Sequence, residues 1–161
     1  RCYVPWAKHM PWRRSCQAWT WRYDTVMTET PEITSLDHLV LTVASIPATV
    51  AFYQEVLGMR SERFETATGE IRQALKFGAS KINLHQQGQE FEPKAQRPTP
   101  GSADLCFLTQ TPILDWQKHL AARDVTIEDG PVPRTGAAGP LVSIYIRDPD
   151  QNLIEISVSQ V

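Results

Sequence analysis

The strongest constraint on the fold of this chain is an internal repeat with a period of about 66 residues. Each copy begins with an alternating apolar strand pattern, continues with an amphipathic helix and ends with three short strand patterns. The first copy covers about residues 33–90 and the second about residues 103–159, with a proline-rich linker at residues 91–102. A period of this length is too long for a solenoid unit and indicates a duplicated module.

The first copy predicts the element order β-α-β-β-β. The segment LDHLVLTV at residues 36–43 alternates between two faces and is rich in β-branched residues, as strands are. Ser45 is a suitable N-cap for the helix that follows, and Gly58 is a natural residue for its left-handed C-terminal cap. Three further strands are predicted near residues 62–68, 71–77 and 81–86.

The second copy repeats this order. The segment ADLCFL at residues 103–108 predicts a strand, and Thr111 and Pro112 are the predicted cap and first-turn residues of a helix. Strands are expected at residues 126–128, 142–147 and 152–158, with a long loop at residues 130–140 and a tight turn at residues 148–150. We therefore predict an α+β fold of two tandem βαβββ modules whose mixed sheets curl into a cup, with the helices on the outer face.

Residues 1–26 differ from both copies. They hold four of the five Trp, two of the three Cys and five basic residues against one acidic residue, without hydrophobic periodicity. The chain begins with Arg1, and Met27 opens a short polar lead to the first strand. We interpret residues 1–26 as a non-native or disordered extension, with a transit-like leader as the alternative, and residues 27–161 as a single domain.

Composition narrows the classes of partner. The formal net charge is -2 at pH 7, so the chain has no surplus of basic residues for nucleic acid. No apolar stretch approaches the ~20 residues that cross a bilayer, which argues against a membrane span. The three cysteines have unrelated spacings and favour a reducing, cytoplasmic location over a disulfide framework or zinc knuckle. A small-molecule substrate is the expected partner.

Four polar residues interrupt the apolar alternation in the first and last strands of the two copies. They are His38, His85, Asp104 and Glu155, and the separations within the two pairs are 47 and 51 residues. Side chains at matching places in a repeat can converge on one cavity. A buried carboxylate costs several kcal/mol unless it is paired or binds a metal, and two carboxylates with two imidazoles suit a divalent ion. A shared metal site is the prediction; a polar face toward solvent or a subunit interface is the alternative.

Three cations are candidates for binding an anionic group of a substrate: Lys94, Arg97 and Arg134. Arg134 lies in the segment GPVPRTGAAGP, whose glycines let the backbone approach a ligand. This segment predicts either a mobile lid over the cup or an ordinary surface loop. Cys106 is interpreted as a small core residue rather than a nucleophile.

Taken in order, four motifs resemble the vicinal oxygen chelate superfamily, also called the glyoxalase, bleomycin-resistance and dioxygenase superfamily. They are LDHLVLTVASIPATVAFYQEVLGM, FGASKINLHQ, PGSADLCFL and SIYIRDPDQNLIEIS. The connector FEPKAQRPTPGSADLC is most similar to a glyoxalase-domain subgroup with bacterial virulence-associated members.

The resemblance implies a cup whose metal ligands come from the first and last strand of each module, and a homodimer. It matches His38, His85 and Glu155 with ligand positions, whereas Asp104 stands where metal-dependent relatives often have a histidine. If Asp104 is not a ligand, the other three residues resemble the two-His, one-carboxylate set of non-haem iron oxygenases. If Asp104 is a ligand, the four residues resemble a glyoxalase site. The implied cofactor is one divalent ion per site, either Mn, Ni, Fe or Zn.

The leading functional hypothesis is a glyoxalase-like lyase or isomerase. In it the metal polarises vicinal oxygens of the substrate, and Glu155 or Asp104 moves a proton. An Fe(II) extradiol-type dioxygenase is one alternative, with Tyr145 as the nearby acid–base candidate. A thiol transferase acting on an antibiotic epoxide would use Lys94, Arg97 and Arg134 for a phosphonate. A metal-free protein that sequesters small molecules, as bleomycin-resistance proteins do, is the non-enzymatic alternative.

Overall fold

The two sequence copies form two sets of elements in the same order. The first consists of β1 (His38–Val43), α1 (Ile46–Glu55), β2 (Arg60–Glu65), β3 (Ile71–Phe77) and β4 (Ser80–Gln86). The second consists of β5 (Asp104–Leu108), α2 (Ile113–Ala121), β6 (Asp129–Thr135), β7 (Pro140–Arg147) and β8 (Leu153–Ser159). The computed structural model describes residues 30–67 and 69–161, so the interpretation of residues 1–26 lies outside the described residues.

Each module builds one open four-stranded sheet. Sheet A has the strand order β1-β4-β3-β2 and sheet B the order β5-β8-β7-β6. In both sheets the first and last strands of the module pair in parallel, and the other neighbours pair antiparallel. These mixed sheets confirm the predicted α+β fold of two βαβββ modules. Residues Ser35–Val161, which contain both sheets, form one compact unit.

The core lies between the helices and the apolar faces of the sheets. Alternation in β1 and β4 turns Leu41, Val43, Ile82 and Leu84 to this side, and all four are buried. The second module adds Ile144, Ile146, Ile154 and Ile156 to the same cluster. Phe77 and Phe107 join the two modules in an edge-to-face contact with a centroid distance of 5.2 Å.

The ends of the first helix follow the sequence signals, but the start of the second does not. The Ser45 side chain accepts a hydrogen bond from the backbone N–H of Ala48, and Gly58 has a φ of 68° just beyond the helix. Thr111 was predicted to cap α2, which is wrong, because the N-cap is Pro112 and no side chain caps the helix. No helix among the described residues is long and apolar enough to cross a membrane.

The sixth strand corrects the prediction for the second module. A strand was predicted at residues 126–128 and a loop at residues 130–140, whereas β6 occupies Asp129–Thr135 and pairs with β7. The prolines of this segment concealed the strand, since proline removes a backbone donor. They are tolerated because β6 lies at the edge of sheet B, where one row of backbone groups needs no strand partner.

The turn between β7 and β8 ties the two modules together. Asp148 is 2% exposed, and its carboxylate accepts hydrogen bonds from the Tyr53 hydroxyl of α1 at 3.0 Å and from the Asn152 amide at 2.8 Å. The backbone N–H groups of Asp150 and Asn152 donate to the same carboxylate. Asp150 in turn accepts from the backbone N–H of Ala44, at the end of β1. The predicted tight turn at residues 148–150 is therefore a link between modules.

Candidate functional site

Each sheet has a second face, opposite the helices, on which polar residues collect. Residues paired in neighbouring strands share a face, so the strand registers show which side chains lie on this face. The polar face of sheet A includes His38, Val40, Arg72, Lys81, Asn83 and His85. The polar face of sheet B includes Asp104, Cys106, Ser143, Tyr145, Glu155 and Ser157.

Glu155 lies at the centre of the polar face of sheet B. Its Oε1 accepts hydrogen bonds from the Ser143 hydroxyl at 2.6 Å and from the Ser157 hydroxyl at 3.1 Å. Tyr145 and Cys106 lie beside this carboxylate, because they are the strand partners of Glu155 on β7 and β5. Both serines are fully buried, so the donors that hold the carboxylate are shielded from water. The arrangement fixes a half-buried carboxylate in one orientation.

The hydrogen bonds keep Glu155 ionised. Partial burial by itself would raise the pKa of the Glu155 carboxyl group, because it disfavours the charged form. The hydrogen bonds from the two serines, helped by the neighbouring polar groups of Tyr145 and Cys106, outweigh burial and leave the pKa below its ordinary value. Glu155 is therefore an anion near neutral pH, able to bind a cation or accept a proton.

The side chain of Arg134 is held by hydrogen bonds to groups of its own sheet. Its Nε donates to the Tyr145 hydroxyl at 2.8 Å, and a terminal nitrogen donates to Asp129 at 3.2 Å. The other terminal nitrogen donates to the backbone carbonyl of Pro133 at 3.1 Å. Arg134 also belongs to strand β6, so the prediction of a free lid or surface loop at this residue is wrong.

The other two predicted anion-binding cations lie in the linker. The Lys94 ammonium is 3.4 Å from Glu90 and 3.6 Å from Glu92, so two carboxylates already surround it. The side chain of Arg97 is exposed. No contact among the described residues joins either cation to Arg134, and their role in binding a substrate stays a prediction.

His38 is oriented by a neighbour that sequence reasoning missed. Its Nδ1 lies 2.6 Å from the Asp37 carboxylate, and the hydrogen bond from His38 lowers the pKa of Asp37. A carboxylate only accepts hydrogen bonds, so Nδ1 carries the proton and Nε2 of a neutral ring is free to bind. Carboxylates often orient metal-binding histidines in this way. The signal was the adjacent acidic residue in LDHLVL.

His85 is the most buried ionisable residue of the predicted set. Its side chain is 4% exposed and packs edge-to-face on Phe91 at a centroid distance of 5.5 Å. Burial lowers the pKa of the imidazole, and the nearby Arg72 guanidinium lowers it further. The ring is therefore neutral at physiological pH.

Strand register corrects the assumed equivalence of His85 and Glu155. Glu155 pairs with Cys106 in sheet B, and the residue at the matching place in sheet A, paired with Val40, is Asn83. His85 lies two residues further along and pairs with Thr42. Counting residues could not show this offset, because the modules differ in loop length. The Asn83 Oδ1 is buried and has no hydrogen-bond partner among the described residues.

The predicted ligands divide into two separate donor sets. His38 and His85 lie on sheet A, and Asp104 and Glu155 lie on neighbouring strands of sheet B. Among residues 30–67 and 69–161, no three His, Cys, Asp or Glu side chains are close enough to hold a metal ion. The nitrogen and oxygen donors fit a divalent metal chemically, but each set offers too few ligands by itself. A complete site requires two such faces to meet.

A buried neutral histidine makes stability depend on pH. Because the pKa of His85 is lower in the folded chain than the unfolded value of about 6.5, the unfolded chain binds the proton more readily. The stability that His85 contributes is thus present above that value and is lost as the pH falls below it. We expect the free energy of unfolding in urea to fall less between pH 7.5 and 5.5 in His85→Gln than in the wild type. Parallel slopes in the two proteins would contradict the buried neutral imidazole.

Sequence comparisons place these observations in a family. Residues 35–156 match the Glyoxalase/Bleomycin resistance protein/Dioxygenase superfamily. The chain is 60% identical over 125 residues to Virulence protein STM3117 of Salmonella typhimurium, covering 78% of this chain and 84% of that protein. It is 54% identical over 128 residues to Glyoxalase domain-containing protein RDO1 of Mycosarcoma maydis, covering 80% of this chain and 70% of that protein.

The fold comparison agrees with the sequence comparison. The crystal structure of Virulence protein STM3117 superposes with a TM-score of 0.73 at 58% sequence identity, covering 80% of this chain and 98% of that one. The duplicated βαβββ modules, the matched residues and the similarity to these relatives lead to one conclusion: the chain belongs to the glyoxalase, bleomycin resistance protein and dioxygenase superfamily.

Proposed function

We propose that the protein is a divalent-metal-dependent, glyoxalase-like enzyme that moves a proton on a small substrate bearing vicinal oxygens. The observation that carries the proposal is Glu155, a half-buried carboxylate kept ionised and oriented on the polar face of sheet B. Structural carboxylates are usually neutralised by a cation, whereas the hydrogen-bond partners of Glu155 are uncharged. Such a group suits proton transfer or cation binding.

Glu155 is the proposed proton acceptor. Its Oε1 is fixed by two buried serine hydroxyls, so the carboxylate reaches its reactive orientation without reorganising during the reaction. Asp104 lies on the adjacent strand β5, where its exposed carboxylate can take a metal or a proton in turn. The two acids therefore stand in unequal environments, as acid and base partners commonly do.

A metal would be held by donors from both polar faces. His38, oriented by Asp37, and His85, neutral and buried, are the proposed nitrogen ligands, and Asn83 offers an unpaired oxygen beside them. Glu155 and Asp104 are the proposed carboxylate ligands. A bound divalent ion would supply Lewis-acid polarisation of the substrate's vicinal oxygens.

We propose that the site is completed in a homodimer, with the polar face of sheet A in one protomer against that of sheet B in its partner. The charges of the two faces support this pairing. Sheet A presents the cation Lys81, together with Arg72 and Lys76, which are paired with Glu70 and Glu62. On sheet B, Arg134 and Arg147 are paired with Asp129 and Glu128, which leaves the anions Asp104 and Glu155 in excess. Complementary charge of this kind orients association.

Metal-free binding of a small molecule is the second candidate. Among the described residues no three donors gather, and each polar face also exposes a large apolar side chain. Val40 is 47% exposed on sheet A and Leu108 is 68% exposed on sheet B. A cleft lined in part by such groups could retain an apolar ligand without catalysis.

Elemental analysis of the full chain tests the first candidate. The protein is purified without an affinity metal, reconstituted with Mn, Fe, Ni or Zn, and assayed with the hemithioacetal of methylglyoxal and glutathione. We expect about one metal per chain, since each proposed site draws one donor set from each protomer. His38→Ala and Asp104→Asn should each lose most of the metal, and Asp115→Asn on the outer face of α2 should retain it.

The metal-dependent enzyme and the shared dimer site are contradicted by different results. Wild-type protein that stays metal-free under all four reconstitutions contradicts the metal-dependent enzyme and supports the binding protein. A monomer that nevertheless binds one metal would contradict the shared site, and analytical ultracentrifugation of the same samples reports this directly.

A further inference from the structure

We propose that Tyr145 is a positioning residue for Glu155 and that Arg134 acts through Tyr145 instead of binding the substrate. The proposal rests on the proposed function of Glu155 and adds two residues to its machinery. Arg134, Tyr145 and Glu155 come from three successive neighbouring strands, β6, β7 and β8. We call these three residues the strand relay.

The direction of the first hydrogen bond in the strand relay is forced. A guanidinium group can only donate, so at the 2.8 Å contact the Tyr145 hydroxyl accepts from Arg134 Nε. A phenol has a single proton, which is then available for an acceptor, and Glu155, the direct cross-strand partner of Tyr145 on the same face of the sheet, offers a carboxylate. The proposed chain of donation therefore runs from Arg134 through Tyr145 to Glu155. Hydrogen bonds in series polarise one another, which strengthens the last one.

The backbone places these groups without a flexible loop. Tyr145 and Glu155 are direct cross-strand partners in the antiparallel pair of β7 and β8. Arg134 is held on the third strand by Asp129 and by the carbonyl of Pro133, and its guanidinium lies 5.2 Å from the centre of the Tyr145 ring. Each of its three nitrogens thus already has an acceptor. A substrate anion would have to compete with these contacts.

Kinetics of the Mn-loaded full chain separate the two roles of Arg134. If Arg134 acts through Tyr145, Tyr145→Phe should lower kcat on the hemithioacetal about 10- to 100-fold with KM within about threefold. Arg134→Gln should show the same pattern, and the double variant should be no slower than Tyr145→Phe alone. Arg134→Lys, which can still donate, should recover part of the loss. Lys118→Gln, on the outer face of α2, serves as the control.

A second measurement does not depend on turnover. Titration calorimetry with Mn²⁺ alone should show about tenfold weaker binding in Tyr145→Phe than in the wild type, because residues that orient a ligand contribute to metal affinity. Two results together would overturn the relay: a raised KM with unchanged kcat in Arg134→Gln, and losses that add in the double variant. They would indicate that Arg134 binds the substrate.

Failure of the proposed function is distinguishable from failure of the relay. If the wild type neither binds Mn²⁺ nor turns over the hemithioacetal, the proposed function is wrong, and crystal structures then test the relay. In Tyr145→Phe the Glu155 carboxylate should leave its position beside Ser143 and Ser157. An unmoved carboxylate in that structure would overturn the relay whatever the activity.

Discussion

Replacing Asp148 by alanine is expected to lower the free energy of unfolding by about 3–5 kcal/mol. The substitution removes one carboxylate but leaves four donors without an acceptor: the Tyr53 hydroxyl, the Asn152 amide and two backbone N–H groups. Tyr53 and Asn152 are fully buried, so water cannot replace the lost acceptor. The cost is therefore that of several unsatisfied buried groups, not of one hydrogen bond.

Urea unfolding of wild type, Asp148→Ala and Tyr53→Phe measures this effect. Tyr53→Phe removes a single donor together with its need for a partner, so we expect a loss of only about 1 kcal/mol. Asp148→Asn keeps one acceptor oxygen and should fall between the two. A loss in Asp148→Ala no larger than in Tyr53→Phe would show that the turn relaxes to satisfy its donors.

The largest functional effect is expected for Glu155→Gln, with turnover of the hemithioacetal reduced at least ~100-fold. An amide cannot accept the substrate proton, and its NH₂ group would meet the hydroxyl donors of Ser143 and Ser157. The measurement is the initial rate of the Mn-loaded enzyme at saturating substrate. Asp115→Asn, a carboxylate-to-amide change on the outer face of α2, is the matched control.

Glu155→Asp tests whether the position of the carboxylate matters as well as its charge. It keeps the carboxylate but shortens the side chain by one methylene, so a base that needs exact reach should lose activity even though its charge remains. Turnover of Glu155→Gln within about threefold of the wild type would exclude Glu155 as the proton acceptor. Melting temperatures of all variants separate loss of chemistry from loss of fold.

The duplication and the hydrophobic faces of the sheets were predictable from the chain alone. Alternation in β1 and periodicity in α1 are local properties, and Ser45 and Gly58 bound that helix by local backbone chemistry. Strand β6 was not predictable in the same way. Two of its seven residues are prolines and one is a glycine, so local preference opposes a strand and only pairing with β7 makes it one.

The candidate site was predictable in its residue types and less so in its geometry. Glu155 stands out in NLIEIS because a carboxylate interrupts an apolar strand. That its neighbours are Ser143 and Tyr145 depends on the antiparallel register of β7 and β8, which sequence spacing does not reveal. The offset between His85 and Asn83 has the same origin, since register depends on both partner strands.

The Asp148 turn makes the two halves of a duplicated chain dependent on each other. A newly duplicated module would contain its own strand pairs and helix, yet here the phenol buried in the first helix finds its acceptor only in the second copy. The end of β1 likewise gives a backbone donor to Asp150 of that copy. Separating the two halves would exchange both contacts for contacts with water, so each copy now depends on the other for part of its stability.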